Sequence, residues 1–228
     1  PFFARILRGI NKIRTEQIPT AGVLAKDGEI NFWWNPRFLA GLDPQQIKGL
    51  IKHECYHLLF DHTTTRRQDP HIIWNYATDL AINSLIDENE LPEGGLIPGK
   101  SFEPLTEEQM TTMGPKAVEN YMMVSQKISS FPKDQSSEWY FSQLMSDEDV
   151  KKAIENSQSA QSLADALANG DVMFDEDGNL VDKDGNPVSV LPGSMDDHDG
   201  WDDLTDEQRE LIKGQIKQSL KDAVKDCD

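Results

Sequence analysis

The feature that most constrains this chain is the run His53-Glu54-Cys55-Tyr56-His57, which places two histidines four residues apart. On a helix, residues four apart lie on one face, one turn apart, so both imidazoles can reach the same metal ion. Glu54 follows His53 directly, which places its carboxylate beside the ion, where a bound water would lie. This arrangement is typical of metal-assisted hydrolysis.

The residues before the motif predict the helix that the motif needs. Asp43 is a good N-cap, Pro44 suits the first helical position, and Gln46 stands where the partner of a capping box belongs. Apolar residues then recur at helical spacing up to Leu59, which indicates a core-facing stripe with the two histidines beside it. We therefore predict a helix that starts near Pro44 and carries a half-buried histidine pair. The alternative is that the two histidines are ordinary hydrogen-bonded side chains.

A second helix is predicted to open at Asp69-Pro70 and to run to about residue 86. Asn75, Asp79 and Asn83 form a stripe at four-residue spacing on this otherwise apolar segment. Short Asn and Asp side chains disfavour a helix, and a metal with its supporting groups would give them a local reason to be there. Because catalytic zinc takes three protein ligands and a water, Asp79 is the predicted third ligand and the two asparagines are supporting groups. Alternatively, Asp79 is a carboxylate that holds one of the histidines.

The other three histidines are weaker candidates. His62 lies five residues after His57 and competes for the metal only if the chain turns sharply after the helix. His198 stands in an acidic loop near Trp201, where it could be a metal ligand or a hydrogen-bond donor to a transition state; an exposed loop histidine is the alternative. His71 is interpreted as a surface residue at the start of the second helix.

The remaining pattern predicts a helix-dominated α+β fold with a small sheet or hairpin beside the metal helix. Asp27-Gly28 separates two β-prone runs and indicates a hairpin, while apolar spacing over 2–14 favours an amphipathic helix. We predict a single domain over 1–228. Its core pattern is densest over 1–100, a looser region of helices and loops covers 101–200, and a C-terminal helix covers 204–225.

The composition limits the classes of binding partner and the cellular compartment expected for this chain. The chain has 22 Lys+Arg against 40 Asp+Glu, a net charge of -18, which argues against nucleic acid or an anionic membrane as the main partner. No apolar run approaches the length of a membrane span, so a soluble protein is expected. The two cysteines lie far apart and form no disulfide framework, which favours a reducing cytoplasm. A chain that begins with Pro1 instead of Met indicates a processed or excised piece.

Together these residues resemble the metallopeptidase domain that in bacterial proteins often precedes a von Willebrand factor A-like domain and is encoded near MoxR-type AAA+ ATPases. The resemblance is carried by Asp27-Gly28 through Asn35-Pro36, His53-Glu54-x-x-His57 with His62, Trp74 through Asn83, Leu91-Pro92 and, more faintly, Glu138-Trp139-Tyr140 and His198-x-x-Trp201. It implies a zincin-like fold, metal positions at His53, His57 and Asp79, and Glu54 as general base. It also implies an AAA+ ATPase as a protein partner, and such proteins continue toward the A-like domain beyond the position of Asp228.

The resulting hypothesis is a zinc-dependent peptide hydrolase that acts on a peptide or protein substrate. The metal polarises the scissile carbonyl, and Glu54 takes a proton from the bound water and then protonates the leaving amine. The alternative from another class is a non-catalytic binding or assembly protein that keeps the metal for structure. An open coordination position favours the enzyme, whereas a fourth protein ligand such as His198 or His62 favours the scaffold. A third interpretation is a latent enzyme whose site is covered by the loop around His198.

Overall fold

The computed structural model describes residues 2–18, 20–26, 29–62, 66–192 and 205–225. Its helices are α1 Phe2–Arg8, α2 Pro36–Ala40, α3 Pro44–Leu59, α4 His71–Asn83, α5 Glu107–Met113, α6 Pro115–Ser129, α7 Ser137–Met145, α8 Glu148–Glu155, α9 Ala160–Asn169 and α10 Asp206–Lys225, with a short 3-10 helix at Glu88–Glu90. Its strands are β1 Asn11–Arg14, β2 Ala21–Lys26, β3 Glu29–Trp34, β4 Ser157–Gln158, β5 Val172–Phe174, β6 Leu180–Asp182 and β7 Ser189–Val190. The predicted helix-dominated α+β fold is therefore confirmed.

The described strands form three small sheets. The largest has the order β1-β3-β2, in which β2 runs antiparallel to β3, with Val23 opposite Phe32, and β1 runs parallel to β3. A parallel pair joins β4 to β7, and an antiparallel pair joins β5 to β6. The order of the first sheet leaves β2 as one of its outer strands, which matters for the site described below.

Contacts along the chain group it into two compact units. The first comprises Pro1–Gln68, Leu85–Glu93 and Met195–Asp228, and the second comprises Asp69–Ser84 and Gly94–Ser194. The predicted single domain over 1–228 stays a prediction.

In the first unit, α3 begins as the sequence predicts. The Asp43 side chain accepts hydrogen bonds from the backbone N–H groups of Gln45 and Gln46, and the Gln46 side chain accepts one from the backbone N–H of Asp43. Pro44 occupies the first helical position, where its missing N–H leaves no gap in the helix. This reciprocal cap fixes where the helix starts, and so which of its residues share a face.

The predicted helix over 2–14 is wrong beyond Arg8. Residues Asn11–Arg14 form β1 and pair in register with β3, Asn11 with Asn31 and Arg14 with Trp34. Apolar spacing at Ile10 and Ile13 is compatible with a helix, but a strand in the same place gains backbone hydrogen bonds from β3. Tertiary pairing therefore overrides the local periodicity.

A glycine brings the 3-10 helix close to α3. A Cβ atom at Gly49 would lie 1.8 Å from the carbonyl oxygen of Glu90, so only a glycine permits this approach. The Glu90 carboxylate also pairs with Lys48 and Lys52 of α3. The segment around Glu90 is thus held against α3 by both shape and charge.

In the second unit, a cluster of buried apolar side chains runs from α4 to β7. Trp74 of α4 has no exposed surface, and its ring meets that of Phe141 on α7 edge-to-face at 5.7 Å. The predicted start of α4 is corrected by one position. Pro70 is the N-cap, with an extended backbone and no side-chain cap hydrogen bond, so Asp69 lies outside the helix, which ends at Asn83 instead of near 86.

None of the helices in the described part of the chain combines the length and the apolar character that a membrane crossing requires.

Candidate metal centre

The two histidines of the motif lie together on α3, as the four-residue spacing predicts. Neither His53 nor His57 has exposed surface. Their Nε2 atoms are 3.0 Å apart, and their rings meet edge-to-face with centroids at 4.7 Å. Two buried imidazole nitrogens that converge in this way can share a proton or bind one ion.

Asp79 of α4 joins the histidine pair. One ligand atom from each of His53, His57 and Asp79 lies within 4.8 Å of the other two, and the Asp79 side chain is fully buried. Ligands at the 2.0–2.1 Å of a zinc–nitrogen bond in a tetrahedral site would be about 3.3 Å apart, close to the 3.0 Å between the two Nε2 atoms. Two imidazoles and one carboxylate, gathered and shielded from water, therefore fit a metal ion.

Glu54 is buried beside this group and is held by the backbone of the neighbouring sheet. Its Oε2 accepts a hydrogen bond of 2.9 Å from the N–H of Val23 in β2. A backbone donor stabilises the ionised carboxylate and fixes its direction. Sequence reasoning found Glu54 but not Val23, because nothing in the identity of a residue marks its backbone amide as a donor to a side chain.

Cys55 lies between the two histidines in sequence but does not belong to the ligand group. Burial, with a contribution from the charge of Glu54, raises the pKa of its thiol to about 12. The thiol therefore stays protonated at neutral pH. Cys55 has no exposed surface, so its role is to pack in the core.

The predicted polar stripe on α4 is present, and its two asparagines differ in their hydrogen bonds. Asn83 is buried and donates from Nδ2 to the carbonyl of Leu96 at 2.9 Å, which fixes the chain that follows α4. Asn75, one turn before Asp79, has a buried Oδ1 with no hydrogen-bond partner among the described residues. A buried acceptor with no donor commonly marks a place for an ion or a water. The Asn75 oxygen is thus an acceptor that a bound water or ion would satisfy.

The other two histidines that the structure describes lie just after α3 and at the start of α4. His62 is 1% exposed, and its ring centroid lies 5.4 Å from that of His57, although it is not a member of the ligand group. The sharp turn that would bring it close is present, since Asp61 has a φ of 61°. His71 is the first residue of α4 and is half-buried. His198 lies outside the described residues.

Comparison with known proteins identifies the family of this chain. Residues 1–181 match the model of the family described as "Putative metallopeptidase domain". The chain belongs to this family. No curated protein and no solved structure matches the chain. The family predicted from the sequence is therefore confirmed, and the buried His-His-Asp group is the candidate metal site of this metallopeptidase-family chain. The helix α10 lies beyond the matched residues.

Proposed function

We propose that the protein is a zinc-dependent peptide hydrolase with Glu54 as its general base. The observation that carries the proposal is the buried group of His53, His57 and Asp79, with Glu54 adjacent in sequence to one of its histidines. Two imidazole nitrogens and one carboxylate oxygen are a donor set that suits zinc, and three protein ligands leave a fourth position open for chemistry. When bound, zinc would act as a Lewis acid and would lower the pKa of a water in that position.

Glu54 supplies the proton transfers in this proposal. Its carboxylate takes a proton from the attacking water and delivers it to the nitrogen of the leaving amine. The hydrogen bond from the Val23 N–H engages Oε2 and orients the carboxylate, so the proton is handled at a fixed position. Asn75 and Asn83 support the site from α4, Asn83 through its bond to the Leu96 carbonyl and Asn75 through its available oxygen.

The substrate class is supported by the position of β2. This strand is the outer strand beyond β3, and the N–H of Val23 points away from β3 to reach Glu54. An extended peptide can pair with the outer edge of such a strand through backbone groups alone, which suits substrates of varied sequence. In this proposal the peptide pairs with outward-facing backbone groups of β2 other than the Val23 N–H, which Glu54 already occupies, and its scissile bond faces Glu54.

Metal content tests the ligand set. We expect about one zinc per chain in protein purified without chelators, and loss of that zinc in both His57→Ala and Asp79→Ala, because each removes one of three ligands. His71→Ala, which removes a histidine outside the group, is the control and should retain zinc. Absence of zinc from the wild type, or its retention in both ligand variants, would count against the site.

The role of Glu54 is tested separately with Glu54→Gln. This variant keeps the shape of the side chain and should keep its zinc, but it should lower peptide turnover by roughly 10²–10⁴-fold because it cannot accept the proton. Turnover would be followed with a library of unstructured peptides and mass spectrometry. Equal turnover in the two proteins would exclude Glu54 as the base. A zinc-loaded wild type that cleaves none of the library would favour the alternative, a metal-stabilised binding or assembly protein.

A further inference from the structure

His57 lies near the end of α3, where a side chain is hard to hold in one position. The helix ends at Leu59, so His57 lies in its last turn, where carbonyl groups lack partners within the helix and the backbone frays. A metal ligand must be held within about 0.5 Å of its productive position. His57 therefore needs support from outside the helix, and the residues directly after α3 provide it.

The first support is a backbone turn. Asp61 adopts a left-handed conformation with a φ of 61°, in the turn that directly follows α3. As a result the N–H of His62 donates to the carbonyl of His57 at 3.1 Å, and the N–H of Asp61 donates to the carbonyl of Leu58 at 3.3 Å. Asp is one of the few non-glycine residues that tolerate this conformation. The turn satisfies the orphan carbonyl of the ligand residue itself.

The second support is the His62 ring. It is 1% exposed, and it packs against the His57 ring at 5.4 Å between centroids and 70° between planes. Rotation of an imidazole about its χ2 bond is soft, so a ring pressed against it limits that rotation. The orientation so held is the one that directs the His57 Nε2 to within 3.0 Å of the His53 Nε2.

A third contact ties this turn to the C-terminal helix. The Asp61 carboxylate lies 3.7 Å from the Nζ of Lys213 on α10, and both side chains are about one-third exposed. Helix α10 also packs on α1 and lies beyond the residues that match the family. Lys213, Asp61, His62 and His57 thus form a continuous series of contacts from α10 to the ligand group.

We propose that His62 is a positioning residue for the metal ligand His57, acting through the packing of its ring and through the left-handed turn at Asp61, and that it is not itself a ligand. The inference rests on the metal site of the proposed function, but not on hydrolysis. It predicts that metal affinity depends on a ring at position 62 and on a residue at position 61 that accepts a positive φ.

The first test measures zinc affinity by competition with a chromophoric chelator, on the full chain, for wild type, His62→Ala and His62→Phe. Both variants keep the backbone N–H, but only Phe keeps a ring. We expect His62→Ala to weaken zinc binding by about tenfold or more, and His62→Phe to remain within about threefold of wild type. Unchanged affinity in His62→Ala overturns the proposal. So does an equal loss in both variants, which would assign the role to an imidazole nitrogen.

A second pair of variants tests the turn without touching either ring. Asp61→Gly and Asp61→Val both remove the contact with Lys213, but glycine accepts a positive φ and valine does not. We expect Asp61→Gly to bind zinc like wild type and Asp61→Val to bind it about tenfold more weakly, with the circular dichroism of both matching wild type. Equal affinities in the two variants overturn the role of the turn. A wild type that binds no zinc would instead overturn the proposed function, which separates the two failures.

Discussion

Replacement of Gly49 by alanine tests how closely α3 is packed one turn before His53. The added Cβ would lie 1.8 Å from the carbonyl oxygen of Glu90, 2.5 Å from its carbonyl carbon and 3.0 Å from its Cβ. The two nearest atoms belong to the backbone, so no side-chain rotation relieves the clash. Either the segment at Glu88–Glu90 or the helix itself must move.

The expected cost follows from these distances. An ordinary contact of a Cβ atom is 3.4 Å or longer, so Glu90 must retreat by about 1.6 Å, the difference between that distance and 1.8 Å. Overpacking that forces such a backbone shift costs about 3 kcal/mol, the upper end of the usual range. Alanine in a helix is favoured over glycine by about 1 kcal/mol. We therefore expect Gly49→Ala to lower the free energy of unfolding by about 2 kcal/mol, a fall in Tm of about 4–8 °C for a chain of this length.

Gly214→Ala is the matched control, because Gly214 also lies within a helix, α10, and a Cβ there would meet no atom within 4 Å. Only the helix preference remains, so this variant should be more stable than wild type by about 1 kcal/mol. Both variants would be compared with wild type by urea unfolding and thermal melting. If Gly49→Ala proved as stable as Gly214→Ala, the close approach of Glu90 to α3 would be refuted.

Three further outcomes are expected. Hydrogen bonds from Lys48 and Lys52 hold the pKa of Glu90 below its ordinary value. The ionised Glu90 therefore stabilises the folded protein fully at any pH above the ordinary glutamate pKa. This stabilisation is lost as the pH falls through the lowered pKa. Glu90→Gln should therefore be less stable than wild type at pH 7, by a margin that shrinks on acidification; urea midpoints that differ by a constant amount at every pH would contradict this. Cys55 is buried and has a pKa of about 12, so iodoacetamide at pH 8 should modify it only after the protein is unfolded. Peptide mass mapping would measure this modification, and prompt modification of the native protein would contradict the prediction. Zinc at a hundredfold excess over its Kd should stabilise the wild type by about 2.7 kcal/mol, or about 5–11 °C in Tm, and a chelator should reverse the gain. Asp79→Ala should show no such shift in Tm. A wild-type Tm that changes with neither zinc nor chelator would argue against a metal site.

The side chains of the site were predictable because each rests on local rules. The capping box at Asp43 and Gln46 fixes the start of α3, and four-residue spacing then places His53 and His57 on one face. Asp79 was predictable for a different reason. A short carboxylate in the middle of an apolar helix is unfavourable without a partner, and the structure gathers it with the two histidines.

Features that depend on distant residues were not predictable in the same way. The spacing of apolar residues over 2–14 favoured one helix, yet Asn11–Arg14 pairs with β3 as a strand, and β3 lies about 20 residues further along the chain. The position of His62 depended on one backbone angle at Asp61. Asp tolerates a positive φ without requiring it, so the sequence allowed the turn but did not demand it.

The contact between Val23 and Glu54 shows why the orientation of a buried carboxylate is harder to predict than its presence. All residues except proline carry the same backbone N–H, so the donor is selected by strand register and not by residue type. Val23 lies opposite Phe32, with its N–H directed away from β3 and toward the carboxylate. A slip of one residue in this pairing would turn that N–H toward β3 and flip the Val23 side chain to the other face of the sheet. The direction of the Glu54 carboxylate is therefore set by the register of a neighbouring strand, and only its presence can be deduced from the motif on α3.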